Sequence, residues 1–376
     1  MKSLLSICLL GICLSVFVAC DEKTQTPAPQ NCTTTTVLAA DEQRHFRMGF
    51  STWAYDATNN ARNDTYAFIA ANADIYSEQV DDKIPWQALI NNTDFPQEFL
   101  DDMNFRISKK PAGHQLLLGI GLFNTKRTNL AEDYDGSIPS YTSLNDKKIV
   151  DAYLKYVTWL IEKYNPNYLL LAMESNEMWI NNQALWTGYT QMMQSIRTSL
   201  KQTYPQLLIS ESMTLHNLYQ PTIANAATYQ QTMINYLNQL DFAAISFYPF
   251  FKAFSTKAQF QEAFDFLHQN ITKPIAFAET NHLAEDLIVT STNTNLKSNE
   301  CEQNDYLEVL LANAQTKSYT FVIWWAYRDY DQLWATFPDN IKDIGKIWRD
   351  TGLLDESGNA RTSANTWKTV FGHTLQ

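Results

Sequence analysis

Short, wholly apolar runs alternate with amphipathic stretches along most of this chain. Tyr168-Leu169-Leu170-Leu171-Ala172-Met173 is apolar at every position. A run this short, with no period-two alternation, predicts a strand buried on both faces. Residues 146–163 instead carry apolar side chains at Ile149, Tyr153, Tyr156, Val157, Leu160 and Ile161, the stripe of an amphipathic helix. Read this way, strands are predicted over 46–53, 74–80, 115–123, 168–173, 207–212, 242–248, 274–278 and 319–325. Helices are predicted over 65–73, 86–109, 146–163, 185–203, 226–240, 258–268, 305–314 and 364–371. Each strand is followed by helical sequence. Strict alternation implies parallel strands joined by right-handed crossovers. Eight such units predict an α/β fold of the closed (β/α)8, TIM-barrel type.

The N-terminus reads differently. Lys2 precedes an apolar run from Leu4 to Val18, too short to span a membrane comfortably and suited to a signal peptide. The run ends in Ala19-Cys20, which resembles the lipobox of bacterial lipoproteins, with Phe17 where that box usually opens on Leu. The resemblance implies cleavage before Cys20, its lipidation, and a lipid-anchored protein of the bacterial cell envelope, on the periplasmic or cell-surface face. Residues 20–39 are polar and rich in Thr, Pro and Gln, a composition that suits a disordered tether. Three segments follow: signal peptide 1–19, lipidated tether 20–39, and one barrel over 40–376. Of the five cysteines, Cys8 and Cys13 leave with the signal peptide and Cys20 takes the lipid. Cys32 and Cys301 remain, an even number that allows a disulfide in an oxidising compartment.

A net charge of −12 argues against nucleic acid as a partner. The glycine-rich turn of a dinucleotide fold and the P-loop are both absent, and no histidine pair has metal-ligand spacing. No cofactor or metal is expected, and a monomer is. In a (β/α)8 barrel, function collects at the C-terminal ends of the strands. Those ends offer Trp53, Glu174-Ser175-Asn176-Glu177, Tyr248, Glu279, His282 and Trp324-Trp325. This acidic and aromatic set suits a neutral, hydroxyl-rich ligand.

Asn176-Glu177 at the end of the fourth strand, with Glu279 at the end of the seventh, resembles the clan A glycoside hydrolases, which are retaining (β/α)8 enzymes. Ser246-Phe247-Tyr248-Pro249-Phe250 and Glu279-Thr280 resemble segments of the family 53 endo-β-1,4-galactanases. Ser175 stands where that family usually has Gly, and its strand-three histidine motif is missing. The resemblance implies a polysaccharide or oligosaccharide substrate with β linkages, Glu177 as acid/base and Glu279 as nucleophile. It also implies Asn176 on the sugar 2-hydroxyl, Tyr248 on Glu279, and Trp325 or Trp324 under the sugar ring. Trp53 and His282 complete the expected substrate-binding set. Glu174 competes with Glu177, but on a continuing strand it faces the other way, and the Asn before Glu177 favours the latter. Two rival readings stay open. One is a mannanase or glucanase of the same clan. The other is a non-catalytic sugar-binding lipoprotein, which needs the aromatic cleft but not both carboxylates.

Overall fold

A computed structural model describes residues 32–376. The expected signal peptide and the lipidation at Cys20 lie outside them. Eleven strands are present among the described residues: β1 Arg47–Ser51, β2 Ile75–Val80, β3 Gln115–Ile120, β4 Tyr168–Leu170, β5 Leu208–Ser210, β6 Ser212–Thr214, β7 Ala243–Phe247, β8 Ile275–Thr280, β9 Leu287–Val289, β10 Thr294–Leu296 and β11 Phe321–Trp324. Nine of them form one sheet in the order β5-β4-β3-β2-β1-β11-β8-β7-β6, with every pairing parallel. The two outermost strands of that order, β5 and β6, are one run of chain parted only at Glu211. Its first half pairs with β4 and its second half with β7. The sheet therefore closes on itself as the (β/α)8 barrel, with β5 and β6 together as the fifth strand.

Alternation along the strands divides the side chains. Ile75, Leu117, Tyr168, Leu170, Phe242, Ala276, Phe321 and Ile323 meet in one buried cluster that fills the barrel. Their neighbours in sequence, such as Tyr76, Leu116, Leu169 and Val322, join the larger core beneath the helices. Two carboxylates also point outward and are matched there. Glu78 accepts from Thr52 Oγ1 and Tyr66 Oη and pairs with Arg106. Glu211 accepts from Tyr189 Oη at 2.5 Å and Tyr236 Oη at 2.7 Å and pairs with Arg197. Glu211 thus stands between barrel and helices and not at the barrel mouth.

Other differences have local causes. The helical stretch predicted over 86–109 forms two helices, Trp86–Asn91, ended by Asn92 in a left-handed conformation, and Gln97–Ser108, which starts after Pro96. The first helix starts early, at Asn59, because Thr58 caps it by accepting from Ala61 N. The loop after β8 holds the antiparallel pair β9–β10, and its helix begins at Glu300, capped by Asn299. Cys32 is bonded to Cys301 in that helix, with the Cα atoms 5.1 Å apart. Thr35 N also donates to Glu308 Oε1 at 2.8 Å. The end of the expected tether, from Cys32 on, is thus fastened to the barrel wall. Among the described residues no helix is long and apolar enough to cross a membrane.

This bond closes a loop of sequence separation 269. Cys301→Ser should lower the unfolding free energy by ~2–4 kcal/mol. Urea denaturation with and without reductant checks this: a reduced wild type should match the variant.

Candidate active site

The fourth strand ends sooner than its apolar run. Pairing with β3 stops at Leu170, the chain bends, and a helix begins at Ser175. Glu174 stands between them at φ 52°, ψ 44°, a left-handed conformation uncommon for a side-chain-bearing residue. The turn aims Met173 and Glu174 into the mouth of the barrel. Ser212 Oγ accepts from Glu174 N at 2.9 Å, Ser246 Oγ donates to Glu174 Oε1 at 2.8 Å, and Arg127 Nη2 lies 3.1 Å from Oε2.

Glu279 reaches the same mouth by another device. Phe277 pairs with both Ile245 and Val322, and β8 then holds one residue more than either neighbour. This bulge at Ala278 turns Glu279 inward, whereas Phe277 packs outward on Phe264 and Tyr319. Tyr248 Oη donates to Glu279 Oε1, and Gln79 Nε2 to Oε2. Burial is the largest cause, and the Glu174 charge the second, that pushes Glu279 from its ordinary 4.5 up to about 8.

Glu174 and Glu279 line one cleft with Trp53, Gln79, Asp81, Arg127, Met173, Tyr248, Trp325, Tyr330 and Trp348. Trp325 lies 5.1 Å from Trp53 and 6.2 Å from Trp348, ring centre to ring centre, so the aromatic wall is continuous. The residues expected from sequence divide accordingly. Trp53, Tyr248, Trp325 and Glu279 are at the cleft. Glu177 is not: it lies on the first helical turn, buried, accepting from Thr214 Oγ1 and, at 2.8 Å, from Asn217 Nδ2. Burial pushes its pKa to about 6. Asn176 is likewise spent inside the protein. Its amide donates to Thr214 O and Tyr229 Oη and accepts from Thr214 N, tying the helix to β6. Trp324 is wholly buried, donating its indole N–H to Thr351 O. His282 is core too, its ring nitrogens facing the carbonyls of Leu283 and Phe254.

No protein-family model and no curated protein matches the chain. Solved structures do match. One is a family 53 glycoside hydrolase catalytic domain from Ignisphaera aggregans, at TM-score 0.58 and 16% identity over 91% of this chain and 99% of that one. Another is a GH5_18 protein of Bifidobacterium longum in complex with Manβ1-4GlcNAc, at TM-score 0.61 and 12% identity over 88% of this chain and 80% of that one. An exo-β-1,4-mannosidase from Opitutaceae bacterium strain TAV5 gives 0.57 and 12% over 88% and 60%. These likenesses show the fold, a (β/α)8 barrel.

Gln79, Met173, Tyr330 and Trp348 are cleft residues that the sequence does not single out, and Asp81 is one that ends the second strand without an expected role. For Glu174 one signal was available: it is the first polar residue after its apolar run, as Glu279 is after Ala278. Two acidic groups away from the cleft have the spacing to hold a cation, Glu285–Asp329–Glu356 and Asp329–Asp331–Asp350. Arg361 pairs with Glu285 and Asp329, and Arg349 with Asp331 and Asp350, so both groups already contain positive charge.

A carboxyl group whose folded pKa is raised adds stability fully below its unfolded value and loses it as pH climbs through the folded one. For Glu279 that window runs from about 4.5 to about 8. Glu279→Gln should therefore match the wild-type melting temperature at pH 5 and exceed it by ~2–5 °C at pH 8. Thermal melts at both values test this, and an equal shift at each would refute it.

Proposed function

We propose that the protein is a glycoside hydrolase that cleaves β-linked glycans, with Glu174 as acid/base and Glu279 as nucleophile. One observation carries the reading: two carboxylates from the ends of the fourth and seventh barrel strands share a cleft walled by tryptophans. Paired carboxylates across a sugar-sized cleft are the requirement for glycosidic cleavage. Flat indole faces suit the apolar C–H faces of sugar rings. The solved barrels of like fold support the same class, since two of them are described by β-1,4-mannosyl ligands or activity. Motif resemblance favours β-1,4-galactan, and two of the structures of like fold favour β-mannosides.

In this scheme Glu174 protonates the leaving oxygen while Glu279 attacks the anomeric carbon and forms a glycosyl ester. Water, deprotonated by Glu174, then hydrolyses that ester. Glu279 must give up the proton that burial favours, and Glu174 must carry one. The pair therefore works with a single proton between its members. Tyr248 and Gln79 hold both oxygens of Glu279 and fix its line of attack. Arg127 and Ser246 do the same for Glu174. A lipid anchor at Cys20 would place this activity at the cell envelope.

The test is hydrolysis of galactan, mannan and β-glucan with product analysis, repeated on three variants. Glu174→Gln and Glu279→Gln should each lose at least about 10³-fold in kcat on the accepted glycan. Glu177→Gln should stay within about ten-fold of wild type. The opposite order for Glu174 and Glu177 would return the acid role to Glu177. Activity should also fall on the alkaline side near pH 8, where the pair loses its last proton.

A further inference from the structure

The cleft does not end at the two carboxylates. On the β1–β2 side, Trp53, Gln79 and Asp81 also line a second cavity that opens beside it. Three charged side chains of its wall, Arg62, Arg106 and Asp102, are committed to each other. Arg62 and Arg106 each lie 2.7 Å from Asp102, and Arg106 lies 3.3 Å from Glu78.

Asp81 is not so committed. It stands where the two spaces meet. Among the described residues, no other residue hydrogen-bonds or ion-pairs with its carboxylate, which faces only its own backbone N–H. The other acids of the cleft are engaged: Glu279 by Tyr248 and Gln79, Glu174 by Arg127 and Ser246. Tyr330 Oη donates to Gly345 O at 2.8 Å. The acceptor oxygens of Asp81 are therefore open to donors that a ligand brings into the cleft. Beside it, Trp53 is backed by Trp325 at 5.1 Å and by Tyr330 at 5.8 Å, so its ring is held in place.

A fixed indole face next to an unpaired carboxylate matches one kind of ligand well. A sugar ring can lay its C–H face on the indole and donate two adjacent hydroxyls to the two carboxylate oxygens. A cationic ligand is disfavoured, because the Arg106 and Arg127 charges both act on Asp81. We propose that Asp81 and Trp53 form a second sugar-binding position beside the reacting carboxylates, selective for a neutral sugar with two adjacent free hydroxyls. Its ligand class rests on the glycosidase reading above. Asp81 acts here in specificity and touches no reacting atom, although its charge adds to the causes that raise Glu279.

The experiment measures binding without turnover. Glu279→Gln protein is titrated calorimetrically with β-1,4-linked galactotetraose, mannotetraose and cellotetraose, alone and with Asp81→Asn added. The tetraose bound best should lose about ten- to hundred-fold in affinity when Asp81 is replaced. In otherwise wild-type protein, the same substitution should raise KM by a like factor and leave kcat within about three-fold. Asp81→Asn keeps the side-chain shape and removes an unpaired charge, so its melting temperature should not fall. Affinity within two-fold of the parent would overturn the Asp81 assignment, even if the wild type hydrolyses that sugar. A large loss of affinity with no hydrolysis by the wild type would sink the hydrolase reading and leave the binding position standing. Failure of all three tetraoses to bind the parent would overturn both.

Discussion

Period-two alternation in a closed parallel sheet governs where every strand side chain goes. One set fills the barrel, and the other lies under the helices. The outward set tolerates carboxylates only where partners are built in, as at Glu78 with Arg106 and Glu211 with Arg197. A glutamate that merely followed β8 in register would sit two places after Phe277, in the outer layer. The cleft exists because alternation fails at two points. A bulge at Ala278 re-aims Glu279, and a left-handed turn re-aims Glu174. Both failures fall at C-terminal strand ends, where the chain is free to leave the sheet.

Each departure has a cost and a restraint. A side-chain-bearing residue in the left-handed region costs about 1–2 kcal/mol. Ser212, Ser246 and Arg127 hold Glu174 there from two neighbouring strands and a loop. Arg127 itself has φ 53°, so the ion pair joins two residues in the same unfavourable region. Such strain persists only where the surrounding structure over-determines it. Asn176 and Glu177 supply part of that determination. Their bonds to Thr214, Tyr229 and Asn217 lock the first helical turn against β6 and thereby fix the turn before it.

The barrel was legible because buried parallel strands write themselves as unbroken apolar runs, and each of the eight predicted strands coincides with a strand of the sheet. Glu279 was legible for the same reason, since it ends such a run. The fourth strand misled because strand parity was carried past Leu170, where the pairing stops. Once the helix starts at Ser175, the Asn-Glu pair lies on a helical turn and finds partners within the protein. Trp324 and Trp325 could not be told apart by pattern, since both are aromatic and adjacent; Trp324 bonds outward to Thr351, whereas Trp325 lines the cleft. Trp348 lies in a connection, where periodicity carries no signal, and its approach to the cleft depends on how a distant loop folds.

The two cleft carboxylates differ most in what surrounds their charge. Glu174 has the Arg127 guanidinium 3.1 Å away. Glu279 has only neutral donors, Tyr248 and Gln79, and its charge is opposed by burial and by Glu174. For the proposed reaction this imbalance is useful. Positive charge develops at the anomeric carbon only as the glycosidic bond breaks. Before then the ionised form of Glu279 is disfavoured; during bond breaking it gains the counter-charge that the protein withholds. An interaction that is strong in the transition state and weak in the ground state lowers the barrier, whereas one equal in both does not. A cation beside Glu279 would stabilise its charge at every stage and weaken that difference. Gln79, a neutral side chain at the end of β2, orients the nucleophile without supplying such a cation.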